Sequence, residues 1–214
     1  TDALVTANTK VVASTATVTI SDAAATVINA TDLSAIGGST AGTVTVTNAI
    51  AISGTALQVT DALVTANTKV VASTATVSIS DATSLTATTL SAINTQTSGL
   101  VSATDVTGLT GTVSQVKAVT DALGVSGDKI NLSGTFTVTL GDAAATVINA
   151  TDLSAIGGST AGTVTVTNAI AISGTALQVT DALVTANTKV VASTATVTIS
   201  DAAATVINAT DLSA

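Results

Sequence analysis

Residues 15–42 read TATVTISDAAATVINATDLSAIGGSTAG, and two patterns meet inside them. The first half alternates. Thr15, Thr17, Thr19 and Ser21 fall on one side of an extended chain, and Ala16, Val18 and Ile20 on the other. A period of two marks a half-buried strand with its apolar side inward. In the second half Val27, Ala30, Leu33 and Ile36 recur at every third residue, and Gly37-Gly38 follows. That spacing suits a helix or a 3₁₀ segment. Thr, Val, Asn and Ser are weak helix formers, so a third strand competes for the same residues.

Outward from this stretch, residues 43–73 read TVTVTNAIAISGTALQVTDALVTANTKVVAS and open on the same alternation. The two blocks then recur. Residues 1–23 return at 60–82 with one change, Thr19 to Ser78, and residues 22–77 return unchanged at 142–197. Residues 201–214 repeat 22–35. This divides 1–214 into one continuous segment of about seven coils, with boundaries near 1–14, 15–42, 43–73, 74–99, 100–134, 135–162, 163–193 and 194–214. Equal coils stack with equal geometry, and stability then grows as a sum of coil and interface contributions. The expected fold is therefore a mainly β repeat solenoid, parallel β-helix-like, with room for a short helix in some coils. Residues 112–124, TVSQVKAVTDALG, are the clearest helical stretch, with Thr112 as N-cap and Gly124 as C-cap. Further extended runs are expected at Lys10–Ser14, Lys69–Ser73, Lys189–Ser193, Lys129–Ser133, 49–53 and 169–173. The chain opens without Met and in mid-cycle, so a window on a longer array is expected.

Composition narrows the function. The 214 residues include no His, Cys, Glu, Arg, Tyr, Trp, Met or Pro, and Phe136 is the single aromatic. The usual general bases and activated nucleophiles are missing, so no catalysis is expected. All 13 acidic residues are Asp, against five Lys, for a net charge of −8. Such a surface repels phosphate backbones and argues against nucleic-acid partners. No apolar run is long enough for a membrane helix. A hydrophobic content of 46% with sparse charge sets the chain apart from disordered sequences.

Three residue sets are candidates for function. Asp22, Asp81, Asp142 and Asp201 follow the T-x-T strands at equivalent places, and Asp2, Asp61, Asp121 and Asp181 share a TDAL element. The first four are weak calcium candidates, since stacking brings equivalent carboxylates together and Ca²⁺ takes several oxygens. The competing reading is that each Asp caps a turn or a helix N-terminus. No cofactor is required on either reading; calcium is the one that fits. The second set is a surface Thr array: Thr15, Thr17 and Thr19; Thr43, Thr45 and Thr47; Thr74 and Thr76; Thr135, Thr137 and Thr139; Thr163, Thr165 and Thr167; Thr194, Thr196 and Thr198. In register these rows make a flat face, for ice or for packing against another copy. Regular T-x-T rows resemble the ice-binding face of insect-type antifreeze proteins. The third set is Asn29, Asn131, Asn149 and Asn208, each in an Asn-x-Ser/Thr triplet. These are glycosylation acceptors or members of an internal amide ladder.

The pattern T-x-T-V-T-x-S-D-A-A-A-T-V through L-S-A-I, with T-G-T and T-D-A-L between, resembles giant Ala/Thr/Val/Asp-rich repeat proteins. These are secreted by cyanobacteria and other aquatic bacteria and are described as adhesin-like or haemolysin-type. The G-G-x-G-x-D signature of calcium-binding β-rolls is absent from the chain. The resemblance implies an extracellular or cell-surface location. It further implies a structural role as adhesin stalk or self-assembling filament, with self-association or surface glycans as partners. An ice-binding solenoid and a calcium-binding adhesin stalk are the alternatives.

Overall fold

The computed structural model describes Leu4 and residues 11–65, 70–123, 130–185, 187–188, 190–203 and 205–207. In chain order the elements open with β1 (Val18–Ile20), β2 (Val27–Asn29), α1 (Ala30–Gly38), β3 (Val44–Val46), β4 (Ala51–Gly54), α2 (Ala56–Leu63), β5 (Val70–Val71) and β6 (Thr76–Ile79). They continue as β7 (Ser84–Thr86), α3 (Ala87–Asn94), β8 (Val101–Ala103), β9 (Gly108–Gly111), α4 (Val113–Thr120), β10 (Ile130–Leu132) and β11 (Thr137–Leu140). The last are β12 (Val147–Asn149), α5 (Ala150–Gly158), β13 (Val164–Val166), β14 (Ala171–Gly174), α6 (Ala176–Leu183), β15 (Val190–Val191) and β16 (Thr196–Ile199).

Among the described residues this is an α/β chain of four parallel sheets and six helices, which overturns the mainly β, parallel β-helix-like solenoid expected from the repeats. The sheet orders are β1-β3-β5, β10-β8-β6-β4-β2, β15-β13-β11-β9-β7 and β12-β14-β16, and none closes on itself. Every pairing joins strands two places apart in chain order, always in parallel. The reason for the correction is local. Each helical segment spaces apolar residues three apart: Ala30, Leu33, Ile36; Ala56, Val59, Ala62; Ala87, Leu90, Ile93; Val113, Val116, Val119; Ala150, Leu153, Ile156; Ala176, Val179, Ala182. All of these are buried. A buried stripe, joined in α2, α4 and α6 by a capped start, outweighs weak intrinsic propensity. Val27 does not belong to the stripe: it lies in β2 and is 66% exposed.

The chain divides into two compact units. The first comprises Thr1–Ala82, Thr89–Asp105 and Ala122–Leu132 and holds the β1 and β2 sheets with α1 packed on α2. Its main inward row runs Ile28, Ile52, Val77, Val101, Ile130 in register. The second comprises Thr83–Thr88, Val106–Asp121 and Ser133–Ala214 and holds the β7 and β12 sheets, with α5 packed on both α4 and α6. Its inward row runs Leu85, Leu109, Val138, Val164, Val190. Phe136 is buried, as its inward phase predicts. Helix α3 is divided between the units. Full burial of each such Val, Ile or Leu stabilises by roughly 1.5–3 kcal/mol relative to exposure, so the stacked rows are the cores.

A second recurrent device closes the loop after three helical segments. Buried Thr40, Thr97 and Thr160 donate their hydroxyls to the carbonyls of Ala16, Ala75 and Phe136. The same hydroxyls accept the N–H of Gly42, Gly99 and Gly162 at 2.9–3.0 Å. A Cβ at Gly162 would collide with the Phe136 carbonyl, so this T-x-G loop admits only glycine at its end.

Candidate functional site

The first four N–H groups of a helix have no partner inside it. Helices α2, α4 and α6 each begin with a Thr-x-x-Gln capping box. Thr55, Thr112 and Thr175 accept from the backbone of Gln58, Gln115 and Gln178 at 3.3 Å. The glutamine side chains accept the N–H of the same threonines at 2.8–2.9 Å. These boxes leave the first helical N–H, and a later part of the chain takes it. Asp81 Oδ2 accepts from Ala56 at 2.6 Å, Asp142 Oδ2 from Val113 at 2.8 Å, and Asp201 Oδ2 from Ala176 at 2.7 Å. The sequence separations are 25, 29 and 25 residues. A carboxylate there also meets the positive end of the helix dipole. So three of the four Asp residues read as calcium candidates are helix N-terminal acceptors. Asp22, the fourth, accepts Asn48 Nδ2 on its backbone oxygen at 2.7 Å, as Asp142 does from Asn168. The Asp22 side chain is exposed and has no partner among the described residues.

The second unit gathers charge of both signs at one of these joints. A cleft of about 580 Å³ lies where Val113, Ser114, Lys117 and Asp121 face Asp142, Thr146–Asn149 and Asp152. Lys117 Nζ donates to both Asp121 oxygens at 2.7 and 2.8 Å. That bond foremost, with the charges of Asp121 and Asp152, holds the ammonium above the ordinary lysine range against a smaller opposing effect of burial. The pair therefore persists to alkaline pH and is lost only as pH rises through the raised value. Its two side chains are 33% and 59% exposed, so solvent screens it and its share of stability is small. Among the described residues, no group of three or more His, Cys, Asp or Glu is placed to hold a metal ion. Asp61 and Asp181 lie within α2 and α6, Asp121 is the C-cap of α4, and Asp2 lies outside the described residues.

The Thr array is present on the surface but divided. Thr15, Thr17 and Thr19 with Thr43, Thr45 and Thr47 accompany β1 and β3, whereas Thr74 and Thr76 accompany β6 in another sheet. Thr135, Thr137 and Thr139 with Thr163, Thr165 and Thr167 accompany β11 and β13, and Thr194, Thr196 and Thr198 accompany β16 in a fourth sheet. The longest outward threonine row is Thr86, Thr110, Thr139, Thr165, and it passes to Val191. The row beside it contains Ser84 and Gly108 opposite Thr137. The motif is thus never more than two strands deep. The cause is that strands pair two places apart, so β1 with β3 and β11 with β13 share a sheet. Two strands intervene between β3 and β6 (β4, β5) and between β13 and β16 (β14, β15), so the following T-x-T strand falls in another sheet.

The Asn triplets are on the outside as well. Asn29, Asn131 and Asn149 are exposed, and Asn208 lies outside the described residues. Asn29 is opposite Ser53, which donates to it at 3.3 Å, so the internal amide ladder is not formed there. Sequence reasoning identified Thr112 as an N-cap but passed over Gln58, Gln115 and Gln178, whose T-x-x-Q spacing is a recognisable signal. It also passed over Thr40, Thr97 and Thr160, whose signal is the recurrent T-x-G. No helix among the described residues is long and apolar enough to cross a membrane. No protein family, no curated protein and no solved structure matches the chain.

Proposed function

We propose that this chain is a structural, self-associating repeat segment of a bacterial cell-surface or extracellular protein, acting through its backbone joints. The observation that carries the reading is the hydrogen bond that Asp81, Asp142 and Asp201 each accept from the first N–H of the helix in the previous repeat. Each such repeat is completed by the one after it. Three of the thirteen Asp are used in that bond, an arrangement suited to building length. The outward rows of Thr, Ser and Asn add a surface of neutral hydrogen-bonding groups suited to lateral packing. The absence of cysteine is compatible with an extracellular setting, because the stacked sheets are held by hydrogen bonds and packing rather than by disulfides. Negative-stain electron microscopy of the purified chain tests the reading. Extended or laterally bundled particles larger than one chain are expected. Uniform single-chain particles at every concentration would refute it.

A further inference from the structure

The register of the first unit lines up one outward row across all five strands of its larger sheet. Asn29 of β2 is opposite Ser53 of β4, and Ser53 is opposite Ser78 of β6. Ser78 is opposite Ser102 of β8, and Ser102 opposite Asn131 of β10. From β2 to β10 the row reads Asn, Ser, Ser, Ser, Asn, and from β10 to β2 it reads the same. Asn29, Ser78 and Asn131 are exposed, and Ser53 and Ser102 are half-buried. A second outward row lies two residues earlier, with Val27 opposite Ala51 and Ala51 opposite Thr76. Leu100, just before the Val101 that is opposite Val77, continues it. Val27 is 66% and Leu100 43% exposed, so the face is open among the described residues.

No outward position within these five strands carries a charge. The chain as a whole has 13 acidic residues against five lysines, a net charge of −8. Copies of it repel, and a neutral face is where two of them can close together. Serine hydroxyls and asparagine amides both donate and accept hydrogen bonds, so the row is able to pair with itself. A two-fold contact uses the same patch on both sides, and a row that reads alike in both directions fits that requirement.

We propose that two copies of the chain pack face to face through this sheet, about a two-fold axis that runs along β6 at Ser78. Ser78 then meets Ser78 of the second copy, Ser53 meets Ser102, and Asn29 meets Asn131. In the neighbouring row the small Ala51 meets the larger Leu100. Sheets packed face to face keep their strands within about 30° of one another, which this axis satisfies. The inference rests on the self-association proposed above and names its surface. A face of five short strands is smaller than the roughly 800 Å² per partner of a standard interface, so the pairing is weak and is read at high concentration.

The register supplies the test. A strand spacing of about 4.8 Å sets Asn29 of one copy roughly 19 Å to the side of Asn29 of the other, but over its Asn131. The chain has no cysteine of its own. Full chains carrying Ser78→Cys, Asn29→Cys or Asn131→Cys singly are treated with a bis-maleimide spanning about 10 Å, the separation of packed sheets. Ser78→Cys is expected to couple to itself, and Asn29→Cys and Asn131→Cys to couple only when mixed. Multi-chain species in sedimentation without this pattern would overturn the face and leave self-association standing. Single-chain species with no coupling would overturn both; retention of such chains on cellulose, lost in Ser78→Asp, would then give the face to a neutral glycan. As a second measurement, Ser78→Asp sets two like charges against each other at the axis and is expected to weaken association at least about tenfold. Ser114→Asp, which adds the same charge at an exposed position of α4, is expected to leave it nearly unchanged. Equal effects of the two would contradict the joint.

Discussion

At the scale of single residues, aspartate joins threonine and asparagine in attaching parts of the chain that are far apart in sequence. Asp142 is 8% exposed and its Oδ2 holds the Val113 N–H, so truncation strands a donor at a helix start. Asp142→Ala is expected to cost about 1–3 kcal/mol, and Asp142→Asn less, because an amide oxygen still accepts while the charge–dipole part is lost. Thermal or urea unfolding of the three proteins gives the order; an alanine variant as stable as the parent would remove the carboxylate from the account. Glycine 162 makes a sterically independent case. Its Cβ position falls on the Phe136 carbonyl, and the loop cannot retreat without breaking the Thr160 bonds. Gly162→Ala is expected to lower stability by about 1–3 kcal/mol, whereas Gly158→Ala, where a Cβ meets open space, is expected to change it little. Ala25 and Ala145, at φ 64° and 62°, sit in the left-handed region at a cost of roughly 1 kcal/mol each. The hydrogen bonds from their N–H groups to Ala49 and Ala169, both 2.8 Å, offset it.

At the scale of elements, many of the strands were legible, whereas β2, β7, β8, β9, β12 and most of the helices were not. The T-x-T alternation located β1, β6, β11 and β16, and the AIAIS and KINLS runs located β4, β14 and β10, because a period of two is visible within a few residues. Helix α4 was legible through Thr112 and its apolar spacing. The other helices were obscured by composition, since β-branched and small residues lower intrinsic propensity while a three-residue apolar stripe restores the balance only on packing. For the candidate site, the four Asp positions were legible as a set. Their partners were not, because a bond across 25–29 residues leaves no local trace. The capping boxes yield the element-scale prediction. Gln115→Ala removes the acceptor for the Thr112 N–H and is expected to cost about 0.5–2 kcal/mol. The loss should fall mainly on amide-exchange protection in α4. Protection in α4 unchanged from the parent would show that the box contributes nothing.

At the scale of the whole molecule, the sequence repeats led to the wrong geometry. Equal T-x-T blocks suggested one stack of equal coils. The T-x-T strands are instead distributed over four open sheets, with helices between them in chain order. What recurs, at Asp81, Asp142 and Asp201, is dependence of a helix start on a carboxylate 25–29 residues later. Open edges and completed-by-the-next repeats are the physical basis for proposing assembly. Sedimentation velocity of the unmodified chain over a wide concentration series tests that claim most directly. The account predicts a weight-average mass that climbs well beyond 20.4 kDa as concentration rises; a single species at 20.4 kDa throughout the series would contradict it.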